Sequence, residues 1–245
     1  MKNIKAILFD LDGTLLPMDM GEFMGGYFDE LTNKMKHRKS PKELKKYIWD
    51  STDAMIKSSE TSKTNQEIFF NRFSKYVDNL NEYKKDFYDF YNNDFVRLKK
   101  YVKPDPIVID IVEYLKDKDI KLVVATNPVF PKEAIYHRIQ WAGLEKEDFD
   151  LITSYENMHF TKPNLEYYEE ILDKIEVEPS KSMMVGNDMK EDMISKKFGL
   201  NTFYIDTYGI DKGDTDIQPD RRGSLREFYE FIKSNIWGGP YETIT

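Results

Sequence analysis

Two aspartates near the start of the chain, Asp10 and Asp12, are separated by one residue and followed by Gly13. They come directly after the apolar run 6–9, which predicts a short buried strand. Because side chains alternate along an extended segment, both carboxylates face one side at the carboxyl end of that strand, where open α/β sheets form active sites. One carboxylate of such a pair can attack an electrophile while the other handles a proton. The alternative interpretation is an ordinary Asp-Gly turn.

A hydroxyl and an amide follow a second predicted strand. Thr126 and Asn127 come directly after the apolar run 122–125, and Pro131 opens a helix shortly afterwards. Together these two side chains could bind an anionic oxygen. The same residues are also typical of an ordinary strand-to-loop cap, so they indicate a site only in combination with other signals.

A lysine follows a third predicted strand. Lys162 and Pro163 lie beyond the short apolar run 151–153. Because proline restricts the backbone next to it, the lysine can project toward the edge of the sheet. A solvated lysine in a loop is the alternative interpretation.

An acidic cluster follows the strand predicted over 183–185. Its residues are Gly186, Asn187, Asp188, Glu191 and Asp192. Carboxylate and amide oxygens at a strand end, after a glycine, are suitable ligands for a hard cation. The alternative is a helix N-cap followed by a negatively charged first turn, and this alternative applies above all to Asp192.

These segments belong to a regular alternation of helices and strands from residue 104 onward. Helices are predicted over 107–117, 131–141, 165–175, 191–198 and 225–235, and strands over 122–125, 151–153, 183–185 and 202–205. Such alternation implies right-handed crossovers and a doubly wound parallel sheet with helices on both faces. The sequence therefore predicts an α/β core domain made of residues 1–16 and 103–245.

Residues 17–102 interrupt this core with a different pattern. Aromatic and apolar residues recur there at spacings of three and four, which predicts four or five packed helices with the aromatics of 69–95 in their core. The segment leaves the core just after the two aspartates, so we expect a mobile helical cap domain over the site. Three glycines near its start, at 21, 25 and 26, suggest a hinge. Substrate contacts are expected from Met18, Met20, Phe23 and Tyr27.

Composition excludes several other classes of protein. The chain of 245 residues carries a net charge of −8 with scattered cations, so nucleic acid is not an expected partner. It contains no cysteine, which rules out disulfides and thiolate chemistry. No apolar run approaches the roughly 20 residues that span a bilayer, and we expect no secretory leader from the residues before the first strand. We expect a soluble cytoplasmic protein without membrane partners; its oligomeric state is not indicated. The three histidines are scattered and are expected to be structural or exposed.

Taken together, the order of the four signals resembles the haloacid dehalogenase (HAD) superfamily. The signals are the run Asp10-Leu11-Asp12-Gly13-Thr14, then Thr126 at a strand end, then Lys162-Pro163, and finally Gly186-Asn187-Asp188 with Asp192 four residues after Asp188. The resemblance covers nearly the whole chain. It is specific in the core motifs, whereas residues 17–102 match only in placement and helicity.

The resemblance implies a role for each motif residue. Asp10 would be the nucleophile that forms an aspartyl-phosphate, and Asp12 would be the general acid and base. Thr126 and Lys162 would complete the catalytic set. The residues that would contact the phosphoryl group are Gly13, Thr126, Asn127 and Lys162. The ligands for Mg²⁺ would come from Asp10, Asp12 through its main-chain carbonyl, Asp188, Asn187 and Asp192. Asn187 stands where the family often has aspartate, so the last three ligands are alternatives.

The resemblance therefore implies a Mg²⁺-dependent phosphatase acting on a small phosphorylated metabolite. A phosphomutase and a dehalogenase of the same superfamily are alternatives. Asp12 argues against the dehalogenase, because a departing halide needs no proton. A protein that only binds metal or phosphate is an alternative of another class. The substrate itself is not indicated, since no motif places the side chains of the cap.

Overall fold

Six short parallel strands form the centre of the computed structural model, which describes residues 4–213 and 215–235. They are β1 (Ala6–Phe9), β2 (Lys121–Val124), β3 (Leu151–Ile152), β4 (Ser182–Gly186), β5 (Asn201–Ile205) and β6 (Arg221–Gly223). Their order across the sheet is β3-β2-β1-β4-β5-β6. β1 and β4 are buried along their whole length, as expected for parallel strands covered on both faces.

A block of helices separates β1 from β2. It contains α1 (Met20–Met35), α2 (Pro41–Ile56), α3 (Asn65–Phe73) and α4 (Leu80–Asp89). The chain continues from α4 through a π-helical turn, Phe90–Asp94, into the 3-10 helix Phe95–Tyr101. Helices α2 and α3 each begin with a complete capping box, in which Ser40 pairs with Glu43 and Thr64 with Glu67. The helical character predicted for this segment is therefore confirmed.

The two connections to this block run side by side. The backbone N–H of Lys103 donates to the carbonyl of Pro17 at 2.8 Å, and Met18 forms an antiparallel bridge with Val102. The chain thus leaves and re-enters the α/β part at a single place.

The three glycines expected to form a hinge lie within a helix. Gly21 is in the first turn of α1, and Gly25 and Gly26 lie further along it. A Cβ atom on Gly26 would lie 2.2 Å from the ring of Tyr101. This glycine therefore allows a close approach between α1 and the end of the helical block.

One apolar cluster continues from the helical block into the α/β part. Most of the aromatics predicted to form the block's core are buried, whereas Tyr76 is half-buried and Tyr88 is exposed; the buried ones are Phe69, Phe70, Phe73, Tyr83, Phe87, Phe90, Tyr91 and Phe95. Phe95 also stacks on Trp141, with ring centroids 5.5 Å apart. On the other side of the block, the fully buried Asn65 donates from Nδ2 to the carbonyl of Phe160 at 3.1 Å.

The remaining helices cover the sheet. They are α5 (Ile107–Lys116), α6 (Lys132–Trp141), α7 (Leu165–Ile175) and α8 (Leu225–Asn235), close to their predicted bounds. No helix within residues 4–213 and 215–235 has both the length and the apolar character needed to cross a membrane.

Two details differ from the prediction. The helix predicted over 191–198 is a shorter 3-10 helix, Met193–Phe198. Here the Ser195 hydroxyl donates to the carbonyl of Asp192 at 2.7 Å, and such local bonds compete with α-helical pairing. Strand β6 was not predicted, because its two exposed arginines give it no apolar pattern.

Candidate active site

The carboxyl ends of three neighbouring strands bring the predicted site residues together. Asp10 follows β1, Thr126 follows β2, and Asp188 follows β4. Strand order reverses between β1 and β4, and open α/β sheets bind ligands at such a point. A cavity of about 330 Å³ lies here, and the predicted residues that line it are Asp10, Asp12, Thr126, Asn127, Asn187, Asp188 and Asp192.

Gly13 belongs to the same turn but does not line this cavity. Its φ of 89° lies in the left-handed region, which favours glycine. A Cβ atom at this position would also lie 2.3 Å from Nδ2 of Asn187. The structure therefore places Gly13 where the turn after β1 meets the loop after β4, rather than beside the cavity.

Lys162 lies beneath the first aspartate and is almost wholly buried, with 1% of its surface exposed. Its Nζ donates to Oδ1 of Asp10 at 2.8 Å and to Oδ1 of Asp192 at 2.6 Å. Burial opposes the charge on Lys162, but the two carboxylates outweigh burial and hold its pKa well above the ordinary value. This lysine therefore stays positively charged next to Asp10.

Asp192 is the buried counter-ion of that lysine. Its second oxygen, Oδ2, accepts from the backbone N–H of Asp188 at 2.9 Å. A Cβ atom on Gly186 would lie 2.2 Å from this oxygen, so only glycine at that position leaves room for the carboxylate. Burial raises the pKa of Asp192, and the charge of Lys162 opposes that shift. Both oxygens of Asp192 are thus bonded to protein groups.

Asn187 and Asp188 make different bonds. The amide oxygen of Asn187 accepts from the Thr14 hydroxyl at 3.2 Å, and its Nδ2 donates to the carbonyl of Tyr208 at 2.7 Å. Both ends of its side chain therefore hold neighbouring loops together. Oδ1 of Asp188 accepts from the backbone N–H groups of Lys190 and Glu191, each at 2.8 Å, which orients the carboxylate at the end of β4.

Asn127 and Glu191 meet at the edge of the cavity. Nδ2 of Asn127 donates to Oε2 of Glu191 at 3.0 Å, whereas the buried Oδ1 of Asn127 has no hydrogen-bond partner. Burial raises the pKa of Glu191, and Lys162 opposes that shift.

Arg138 is a site residue that the sequence analysis missed. It lies on α6, is fully buried, and forms an ion pair from Nη1 to Oδ2 of Asp12. Its Nε donates to the carbonyl of Ala134 at 3.2 Å, and its guanidinium carbon lies 4.7 Å from the ring centre of Phe130. A signal was present in the sequence, because Arg138 occupies the helical spacing of buried Ala134 and Ile135 and thus a core position of α6.

This ion pair sets the environment of Asp12. Burial raises the pKa of Asp12 to about 6, and the charge of Arg138 opposes that shift. Oδ1 of Asp12 and Nη2 of Arg138 are both buried without a hydrogen-bond partner. A carboxyl with this pKa can exchange a proton near neutral pH. Asp12 also lines the cavity, and its Oδ1 makes no hydrogen bond to the protein.

Helices α1 and α2 supply the opposite wall of the cavity. This wall is apolar and contains Met20, Met24, Tyr27, Phe28, Ile48, Trp49 and Ile56. Two of the four expected substrate contacts, Met20 and Tyr27, therefore lie at the cavity. The other two do not line it: Met18 and Phe23 are buried in the apolar cluster, where Phe23 packs against Phe95.

None of the three histidines lines the cavity. His37 is exposed, Nε2 of His137 lies 3.1 Å from the carbonyl of Tyr91, and Nδ1 of His159 lies 2.8 Å from Oε1 of Glu170. These surroundings agree with the expectation that the histidines are structural or exposed.

The sequence of residues 7–205 matches the family model of the haloacid dehalogenase-like hydrolases. The chain belongs to this hydrolase family. Membership of this family accounts both for the parallel sheet and for the order of the motifs at its carboxyl edge.

Two curated relatives of this HAD hydrolase are named phosphatases. It is 29% identical over 105 residues to the glyceraldehyde 3-phosphate phosphatase of Methanothermobacter thermautotrophicus, an alignment covering 43% of each chain. It is 26% identical over 136 residues to the phosphorylated carbohydrates phosphatase of Thermotoga maritima, which covers 56% of this chain and 60% of the relative. The matches thus span about half of the length of these relatives.

A solved structure extends the likeness to nearly the whole fold. The 2-haloacid dehalogenase of Pseudomonas syringae pv. Tomato matches with a TM-score of 0.64 and 20% identity, covering 94% of this chain and 98% of the dehalogenase. At this identity the match shows the HAD fold alone.

The residues at the cavity fit a magnesium ion. Asp10 and Asp188 bring carboxylate oxygens, which are suitable ligands for a hard cation, to one end of it. Within the described ranges, no three Asp, Glu or His side chains are close enough to hold a metal by themselves. Since Mg²⁺ usually takes one or two carboxylates and completes its shell with waters and substrate phosphate, such a partial set suits it.

Proposed function

We propose that this HAD hydrolase is a Mg²⁺-dependent phosphatase that hydrolyses a small phosphorylated metabolite. The observation that carries the proposal is the arrangement around Asp10, whose carboxylate accepts from the buried Lys162 while Asp12 and Asp188 line the same cavity. Phosphoryl transfer depends mostly on positioning and charge neutralisation, and this arrangement supplies both.

In the first step, an oxygen of Asp10 attacks phosphorus, and the bond between phosphorus and the alcohol oxygen breaks. The departing oxygen takes a proton from the carboxyl of Asp12, whose pKa of about 6 leaves part of the population protonated near neutral pH. Lys162 neutralises charge at Asp10, and the Thr126 hydroxyl binds a phosphoryl oxygen. The products are the free alcohol and an aspartyl-phosphate on Asp10.

In the second step, the Asp12 carboxylate takes a proton from water, and the water oxygen attacks phosphorus. The bond between phosphorus and Asp10 breaks, which releases inorganic phosphate and restores both aspartates. A carboxylate nucleophile thereby divides one difficult hydrolysis into two easier displacements.

Asp10, Asp188 and the main-chain carbonyl of Asp12 are the groups that we assign to the metal. Bound there, Mg²⁺ would neutralise the phosphate and polarise its oxygens. Two observations favour Asp188 over its neighbours: the side chain of Asn187 bonds to Thr14 and Tyr208, and Asp192 is paired with Lys162.

Residues 17–102 are proposed to form a cap domain that closes over the phosphoryl site. Support comes from the paired connections at 17–18 and 102–103 and from the apolar wall that α1 and α2 contribute. Closure would exclude water from the aspartates and strengthen the electrostatic interactions around them.

The test is release of inorganic phosphate from a generic aryl phosphate by the purified protein, first with a chelator and then with Mg²⁺ restored. We expect turnover only with Mg²⁺. Parallel assays with 2-chloropropionate and a sugar bisphosphate separate the family alternatives, since a dehalogenase releases halide and a mutase transfers rather than releases phosphate. Absence of phosphate release from every ester tested would overturn the proposal.

A further inference from the structure

The cavity that the aspartates line has a polar end and an apolar wall. Its polar groups lie at the end formed by the strands, and its other lining comes mainly from apolar side chains of α1 and α2. The Tyr27 hydroxyl on this wall is already bonded to the Tyr91 hydroxyl, at 2.7 Å. Thr52 is the one other hydroxyl that these two helices bring to the described lining.

No lysine or arginine is among the described residues that line the cavity. The two cations nearest the aspartates are buried and paired, Lys162 with Asp10 and Asp192 and Arg138 with Asp12. One exposed lysine lies near the wall, since Nζ of Lys45 is 5.1 Å from the ring centre of Phe28, although Lys45 does not line the cavity. A second phosphate or a carboxylate placed against Met24, Ile48 or Ile56 would meet apolar surface, which is costly in a partly dehydrated site.

Two exposed apolar residues also lie at this cavity. Trp49 and Met20 are two of the five large hydrophobic side chains exposed in the described part of the chain, and both line the cavity. Trp49 stacks on Phe28, with ring centroids 5.3 Å apart. A fixed aromatic surface open to solvent beside a polar centre is typical of a site that covers an apolar ligand.

We infer that the natural substrate is a phosphate monoester of an apolar alcohol, alkyl or aryl, rather than of a polyol or an acid. The inference rests on the proposed phosphatase function, since the phosphoryl group must lie at Asp10 for the alcohol to reach this wall. A sugar would leave its hydroxyls facing Met24, Ile48 and Ile56 with few hydrogen-bond partners. An alkyl or aryl group instead removes its own surface and that of the wall from water.

Binding can be tested without turnover. Isothermal titration with methyl-, butyl- and hexylphosphonate, in the presence of Mg²⁺, measures how each methylene changes affinity. Because burial of one methylene corresponds to about fourfold in a dissociation constant, we expect affinity to rise about threefold to fourfold per carbon until the cavity is filled. A dissociation constant that does not change with chain length would overturn the inference.

Turnover gives a second measurement. Hexyl phosphate and glucose 6-phosphate are both esters of primary alcohols, so their leaving groups are similar and their bodies differ in polarity. We expect kcat/KM to be at least about tenfold higher for hexyl phosphate. Equal rates, or a preference for the sugar or for a bisphosphate, would overturn the inference while leaving the phosphatase proposal intact.

A matched pair of variants tests whether Trp49 on the apolar wall causes the dependence of affinity on chain length. Trp49→Ala removes the exposed aromatic of the cavity, whereas Tyr88→Ala removes an aromatic that is 66% exposed and does not line it. We expect Trp49→Ala to reduce the affinity ratio of hexyl- to methylphosphonate at least about fivefold and Tyr88→Ala to leave it unchanged. Equal ratios in both variants would contradict the assignment of the wall.

The two proposals fail in different ways. If no ester is hydrolysed but phosphonate affinity still rises with chain length, the phosphatase function fails and the apolar wall stands as a binding site. If esters are hydrolysed without regard to apolar length, the function stands and the substrate class is wrong.

Discussion

The two ends of the cavity are built in different ways. At the strand end, Asp10, Thr126 and Asp188 lie one or two residues beyond a strand, and Asp10 is held by a buried ion pair with Lys162. At the helical end, apolar side chains project from the faces of α1 and α2, and some of them, such as Trp49, remain partly exposed. The sheet topology thus brings the polar residues together, while the inserted helices supply the apolar surface that we propose selects the substrate.

The largest expected effect comes from the strand end. Asp10→Asn keeps the size of the side chain and removes the nucleophilic charge, so we expect phosphatase kcat to fall by roughly 10⁴-fold or more. Stability should change little, because Lys162 keeps its ion pair with Asp192 and local repulsion between carboxylates decreases. Phosphate-release assays and thermal melting check both expectations.

Asp110→Asn, an exposed change on α5, is the control and should alter neither quantity. Substantial activity in Asp10→Asn would exclude Asp10 as the nucleophile and with it the assignment of the strand end.

Much of the strand end could be predicted from the sequence. Asp10, Thr126 and Asp188 converge because parallel strands bring their carboxyl ends to one edge, and short buried strands were visible as apolar runs before each residue. The matching family model confirms the superfamily and its fold. The catalytic and metal-binding roles of these residues remain predictions.

The other contacts could not be predicted, for physical reasons. Arg138 reaches Asp12 from α6 across 126 positions of sequence, and no local pattern specifies such a pairing. In the helical block, periodicity shows which residues share an apolar face. It does not show whether a residue of that face packs into the core or lines the cavity. Phe23 accordingly packs into the core, while Met24, the next residue, lines the cavity.

Substitution of Arg138 tests whether its buried ion pair positions Asp12, as the ion pair of Lys162 positions Asp10. Arg138→Met removes the ion pair and leaves Asp12 free to rotate, so we expect kcat for alkyl phosphates to fall by about 10²-fold, typical of lost orientation. Esters with very good leaving groups should lose less, because protonation by Asp12 matters less for them. Single-turnover rates on an alkyl and an aryl phosphate check the difference.

A purely structural role for Arg138 would lower both rates equally, along with the melting temperature. Equal losses on the two esters would therefore contradict a positioning role and leave Arg138 as a packing residue. Arg138→Lys keeps the charge and should recover part of the alkyl rate.

The metal assignment separates two adjacent residues at the strand end. Asp188→Asn keeps an oxygen for the N–H groups of Lys190 and Glu191 but removes the charge, so we expect the Mg²⁺ concentration for half-maximal activity to rise at least about tenfold. Asn187→Ala breaks bonds to Thr14 and Tyr208 and should lower the melting temperature with a smaller shift in the Mg²⁺ midpoint. Activity titrations against Mg²⁺ compare the two. A larger midpoint shift in Asn187→Ala would show that the metal ligand is Asn187.

The smallest effect is expected at the helical end of the cavity, from Tyr27, whose hydroxyl is already bonded to the Tyr91 hydroxyl. Tyr27→Phe leaves the buried Tyr91 hydroxyl without its bond, so we expect a loss of about 1 kcal/mol in the free energy of unfolding. On alkyl phosphates kcat/KM should stay within about twofold, since an apolar substrate makes no use of this hydroxyl.

Tyr91→Phe is the matched variant, and the double variant should cost less than the sum of the two single changes, because both remove the same bond. Chemical denaturation of the four proteins measures that coupling. A tenfold fall in kcat/KM for Tyr27→Phe, with Tyr91→Phe unaffected, would show that the Tyr27 hydroxyl binds substrate and that the helical wall is more polar in use than its packing indicates.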